Sequence, residues 1–222
     1  MTNPSMEQAL TNTLSAGRIS TYENAVIAAT GSQNRSLALE LYAWNASIAG
    51  AFMIPLHIYE VALRNAVSSS IEQVYTPQWP WQSQFIRSLG TRGRYSPQRD
   101  ITACGSMHQT TGKVIPELKF AFWESMLKTN HIGRIWTPHF RHSFPHSPAQ
   151  LSVTDCLKIL RDNTYEIRTL RNRIAHHEPI FSHDLAKRLG QITTAVEWIC
   201  PTTQAWLASK EQVTKLLTEK PL

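Results

Sequence analysis

Apolar positions recur at helical spacing along nearly the whole chain, and runs of strictly alternating apolar and polar residues, the mark of strands, are scarce. An all-α fold follows. From Asn34 onward, Leu37, Leu41, Trp44 and Ile48 share one helix face, which Gly50 and Pro55 should kink or break. A second run from Leu56 to about Tyr75 carries the polar string Glu60, Arg64, Asn65, and the prolines of Thr76-Pro77-Gln78-Trp79-Pro80 end it. Residues 90–112, rich in glycine, read as a loop insertion with one helical insert, and 137–150, rich in Pro, Ser and His, as a second loop. Between them Pro116 suits the first turn of a helix, and residues 118–127 are apolar almost all round, which predicts a central place in the core. A long helix, capped by Ser152 or Thr154, should run to His177 or Glu178, because the residue before Pro179 is biased away from helical geometry. Further helical runs at 182–199 and 202–218 complete a single domain over 1–222, with 1–8 expected to be disordered.

Composition narrows the picture. With 222 residues and 42% hydrophobic content the chain can build a core, and general disorder is excluded. Charged residues make up only 17%, against roughly 25% in an average soluble domain, which predicts much buried surface or an interface. The net charge of +6 admits a polyanionic partner, but the cations are dispersed, so any phosphate-binding surface must be assembled by folding. Cys104, Cys156 and Cys200 are odd in number and far apart, which suits a reducing cytosol and neither a disulfide framework nor a cysteine zinc site. The first residues lack a secretory signal, and the longest apolar stretch, Ile48 to Ile58, is interrupted by Pro55 and His57. A soluble cytoplasmic protein, with no membrane contact, is expected.

The helix beginning near Val153 holds the most chemistry. Its predicted apolar seam is Val153, Leu157, Leu160, Thr164, Ile167, Arg171, Ile174. A guanidinium on a buried stripe must be paired or face a wet cavity, so Arg171 is either a structural residue bridged to an acid such as Glu60 or a functional one. The string Arg171-Asn172-Arg173-Ile174-Ala175-His176-His177-Glu178-Pro179 adds donors and two imidazoles within the same last turns. Asn172 and His176 are four apart, which would let the amide orient the ring. The negative end of the helix dipole favours an imidazolium there. A cationic fork that grips phosphate, beside an imidazole able to move a proton, is equipment for breaking an RNA phosphodiester. The ribose 2′-hydroxyl supplies the nucleophile, and no metal or other cofactor is required.

The segment Leu170 to Phe181 resembles the signature of the Abi-like (abortive infection) proteins of the HEPN superfamily (higher eukaryotes and prokaryotes nucleotide-binding), whose motif is Arg, a polar residue, then His after four to six intervening positions. Arg171, Asn172 and His176 fit it with four intervening residues; His177 fits with five. The relation to Asn172 favours His176. Leu41-Tyr42-Ala43-Trp44-Asn45, Glu60-Val61-Ala62-Leu63-Arg64-Asn65 and Gly112 to Leu118 with Phe120 to Trp123 are similar to further blocks of that family, in order, with Ala121 where glycine is expected. The resemblance implies a HEPN-type helical bundle with loop insertions and a metal-independent endoribonuclease toxin of phage defence. It also implies a homodimer acting on RNA and open to control by a protein or RNA antitoxin. It assigns transition-state charge to Arg171, proton transfer to His176 or His177, and positioning to Asn172. Glu60, Arg64 and Asn65 would brace Arg171, and Arg168 and Arg173 would contact RNA. Different readings of the same residues are a non-catalytic RNA- or nucleotide-binding module and a regulatory oligomer.

Two other features draw the eye. His139, His142 and His146 are spaced like metal ligands, but in a proline-stiffened segment without cysteine, where a basic aromatic loop touching RNA explains them as well. Trp79 and Trp81 could stack bases, although packing is the commoner use of such residues.

Overall fold

Local chemistry sets the helix ends of this protein, seen here in a computed structural model that describes residues 4–222. The first three positions of the segment expected to be disordered lie outside the described residues, and from Pro4 the chain is helical. In chain order the helices are α1 (Pro4–Leu14), α2 (Ala16–Thr30), α3 (Arg35–Ala51), α4 (Met53–Tyr75), α5 (Ser83–Ser88), α6 (Pro97–Met107) and α7 (Thr111–Glu117). They continue with α8 (Phe120–Met126), α9 (Thr137–Ser143), α10 (Val153–Ala175), α11 (Leu185–Ile199), α12 (Pro201–Lys210) and α13 (Val213–Thr218). No strand occurs among the described residues, so the protein is all-α. The Asn34 side chain accepts from the Leu37 amide at 3.0 Å and starts α3. The break after α3 falls at Phe52, and Pro55 sits in the first turn of α4, where its missing N–H is not needed.

The helices group into two compact units. The first comprises residues up to Met53, Asn172–Lys187 and Glu211–Leu222. Ile19, Tyr22 and Val26 of α2 and Leu41, Trp44 and Ile48 of α3 form its apolar centre, all buried. The Trp44 indole N–H donates to the Leu216 carbonyl at 2.7 Å. Tyr22 packs against Tyr42 and Phe181, each at a ring separation of 5.1 Å.

The second unit comprises Ile54–Arg171 and Arg188–Lys210. An aromatic cluster fills it: Trp79 lies edge-on to Phe85 at 5.4 Å and to Trp123 at 6.3 Å, with Phe122 alongside. The Trp79 N–H donates to Ser68 Oγ at 3.1 Å and the Trp81 N–H to the Gly105 carbonyl at 2.8 Å, so packing and hydrogen bonding occupy both rings considered for base stacking. The Tyr59 hydroxyl meets Thr164 Oγ1 at 2.7 Å, tying α4 to the middle of α10.

Two local expectations need correcting. Residues 137–150 are not wholly a loop, because α9 follows a π-helical turn at Ile132–Trp136. Pro138 stands in the first turn of α9, where proline supports a helix, and the helix buries Phe140. Pro116 lies in the last turn of α7 rather than the first turn of a helix, and α8 starts afresh at Phe120. The run Arg35–Tyr75, broken at Phe52, contains an 18-residue window of mean hydropathy 1.5 that by length and composition alone could cross a membrane, a test that the core helix of a soluble protein also passes.

Candidate functional site at the end of the long helix

Helix α10 begins where Ser152 Oγ accepts from the Asp155 amide at 3.1 Å. Leu157, Leu160, Thr164, Ile167, Leu170 and Ile174 form its buried stripe. Arg171, expected on that buried stripe, is not buried with it: its side chain is 44% exposed, and Leu170 is the buried neighbour. Arg171 keeps the stripe's spacing, four residues after Ile167 and three before Ile174, so its long side chain rather than its helix position carries the guanidinium out to solvent.

Arg171 is nonetheless held. Its Nε lies 3.8 Å from Glu60 Oε2, while the other oxygen of the same carboxylate accepts from Arg64. Arg64 also reaches the Pro116 carbonyl at 3.4 Å, and its buried Nε has no hydrogen-bond partner. One carboxylate thus serves two guanidiniums, which leaves one positive charge in excess, and the more exposed cation is Arg171. Of the three residues expected to brace Arg171, Glu60 lies within ion-pair distance of it, Arg64 binds the same carboxylate, and Asn65 is exposed.

The helix ends in a backbone motif that no glycine announces. The His177 amide donates to the Ile174 carbonyl at 3.0 Å and the Glu178 amide to the Arg173 carbonyl at 2.8 Å, with His177 at φ 54°. This is the Schellman arrangement, whose left-handed position is usually glycine. Four further bonds fasten the turn within the first unit. Arg18 donates to the His177 carbonyl at 2.6 Å. Arg173 donates through Nε and a terminal nitrogen to the Pro179 carbonyl at 3.1 and 2.8 Å and pairs with Glu178 at 3.2 Å. Beyond it, the buried Asn45 Oδ1 accepts from the amides of Ile180, at 2.8 Å, and Phe181, at 3.0 Å.

No family model, curated protein or solved structure matches this chain. The site is therefore read from its own residues.

His176 and His177 are both exposed, and among the described residues neither ring has a hydrogen-bond partner; the expected bond from Asn172 to the His176 ring is absent, the two residues being joined by the backbone bond from the His176 amide to the Asn172 carbonyl at 3.0 Å. Of the two arginines expected to contact RNA, Arg173 is used in closing the turn and Arg168 is bridged to Glu124. Arg141, read as part of a basic loop, instead turns into residues 147–151, donating to the carbonyls of Ser147, Pro148 and Leu151 at 2.8, 3.1 and 2.7 Å. His142 meets Ser69 Oγ at 3.2 Å, and among the described residues no three His, Cys, Asp or Glu side chains converge as metal ligands. Sequence reasoning missed Arg18 and Asn45, whose roles depend on chain-distant backbone atoms; the signal in the sequence is only that Asn45 is a polar residue next to Trp44 on an otherwise apolar face.

Proposed function

We propose that this chain is a metal-independent endoribonuclease of the HEPN type, an RNA-cutting toxin of the abortive-infection kind. The observation that carries the reading is the half-exposed guanidinium of Arg171, held by a carboxylate it shares with Arg64, in a segment that five and six residues on carries two solvent-facing imidazoles. Arg171 faces the charge that builds on the non-bridging phosphate oxygens. The 2′-oxygen attacks phosphorus as its proton passes to an imidazole, the P–O5′ bond breaks, and the 5′-oxygen takes up a proton from the neighbouring imidazolium. The products are a 2′,3′-cyclic phosphate and a 5′-hydroxyl.

We assign the general base to His177 rather than His176. The bond from Asn172 that favoured His176 is absent, and His177 keeps an imidazole at a backbone position where glycine is cheapest. Backbone strain of this kind is a feature of functional sites. The test is cleavage of RNA by the purified protein in EDTA, with mapping of the ends. Cutting that leaves cyclic phosphate and falls at least a hundredfold in Arg171→Ala supports the reading. RNA bound but left intact by the parent protein would replace it with a binding module.

A further inference from the structure

A second feature of α10 lies upstream of the motif. A cleft of about 310 Å³ in the second unit is lined by Glu124, Lys128, Arg161, Asp162, Tyr165 and Glu166. Tyr165 is 56% exposed, a large ring facing solvent where most aromatic residues of this unit are buried. It stands four residues after Arg161 and three before Arg168, so the three share one stripe of the helix. The Arg168 guanidinium lies 5.8 Å from the centre of its ring. The carboxylates around it are already engaged: Glu124 with Arg168, Glu166 with Arg188, and Asp162 with Arg161 at 3.1 Å. Lys128 has no acidic partner among the described residues, and it is exposed. The Arg161–Asp162 pair is a surface contact of neighbouring residues, weak enough to give way to a phosphate.

We infer that this cleft is a nucleobase-stacking subsite for single-stranded RNA, with the base on the Tyr165 ring and the adjoining phosphate between Lys128 and Arg161. The inference rests on the reading of Arg171 as a phosphate ligand, since Tyr165 precedes it by six residues, about 9 Å along the helix axis. One strand can reach both. An exposed aromatic face among cations accepts any base, which fits a sequence-tolerant track rather than base-edge recognition. It also requires an unpaired strand, because a base inside a duplex offers no free face.

The experiment measures binding of a short 2′-O-methyl oligouridine, which lacks the attacking hydroxyl, by fluorescence anisotropy across a salt series. Tyr165→Ala should weaken binding about tenfold and Tyr165→Phe less than about twofold. Tyr165→Ala should leave the slope of log K against log salt unchanged, while Lys128→Ala should lower it by about 0.7. If Tyr165→Ala unfolds, Tyr165→Leu replaces it with the same loss expected. A duplex of matching length should show no dependence on Tyr165. Parent-like binding by Tyr165→Ala, equal dependence for duplex and single strand, or no binding by the parent protein overturns the subsite. Tyr165-dependent binding with no cutting of unmodified RNA keeps the subsite and removes the nuclease; cutting with no effect of Tyr165 does the reverse.

Discussion

Replacing His177 by glycine should make the protein more stable and less active. The left-handed conformation, φ 54°, costs a side-chain-bearing residue roughly 1–2 kcal/mol, and glycine is spared that cost. Glycine loses about 0.5–1 kcal/mol through the greater freedom of its unfolded chain. The bonds that hold the turn, from the His177 amide, to its carbonyl from Arg18, and from the Glu178 amide, are all made by backbone atoms of residue 177 or by its neighbours, so they survive. The ring is exposed, so little buried surface is lost. The net expectation is a gain of about 0.5–1 kcal/mol, or a rise in Tm of about 1–4 °C in a chain of this size. Urea and thermal melts followed by circular dichroism measure it. RNA cleavage by the same sample should fall by a factor of about 10²–10⁴, the usual contribution of a general acid or base. Thr76→Gly provides the control, since Thr76 also has a left-handed φ, 69°, and stands outside the proposed site: stability should rise and cleavage stay unchanged. A His177→Gly protein that melts lower than the parent refutes the strain argument. One that is stabilised but cuts RNA at the parent rate refutes the assignment of His177 and passes the role to His176.

Other consequences are as direct. Asn45→Ala strands the amides of Ile180 and Phe181 in a buried setting and should destabilise the protein by about 2–4 kcal/mol; an unchanged urea midpoint would contradict this. Arg141→Met leaves three loop carbonyls without their donor and should cost about 2–4 kcal/mol while sparing RNA binding, which a basic loop in contact with RNA would not. Burial, with the nearby Arg134 and Lys128 cations adding to it, lowers the pKa of His131 to about 4. The unfolded chain therefore binds the proton first as pH falls, so stability is full above about 6.5 and declines toward 4, by about 3 kcal/mol in all. His131→Gln should flatten that slope in melts taken between pH 7 and about 4.5. Among the thiols, Cys200 should be alkylated first at neutral pH: hydrogen bonds from Thr203 and Thr202 lower its pKa, whereas burial raises those of Cys104 and Cys156. Faster labelling of either buried thiol, read by peptide mass spectrometry, would count against this order.

Helical periodicity made the fold class legible because burial on a helix repeats with the chain itself. Leu41, Trp44 and Ile48, and Leu157, Leu160 and Ile167, are buried as their spacing implies. The exposure of Arg171 was not legible, because a long side chain can carry its charge out of an apolar stripe whose spacing it keeps. The helix at 137–143 was hidden by composition: Pro and His discourage a helix on average, but Pro138 in a first turn does not. At the candidate site, the spacing of Arg171 and the histidines was readable, and so was a partnership with Glu60. The left-handed turn at His177 was not, because the sign of φ is usually betrayed by glycine and here a histidine adopts it. Arg141 shows the same limit for side chains, as only the folded loop reveals whether a guanidinium faces solvent or carbonyl oxygens.

The tethers of the His177 turn also bear on the order of events during synthesis. Asn45, which accepts from Ile180 and Phe181, lies 135 and 136 positions upstream of them, and Lys220, which donates to the Phe181 carbonyl at 3.1 Å, lies 39 positions downstream. Contacts of such long sequence separation close late in folding. The turn bearing the imidazoles therefore acquires this fastening only after the chain as far as Lys220 has left the ribosome. Chains cut short before Lys220 lack that bond and rely on Arg18, Arg173 and Asn45 alone to hold the turn.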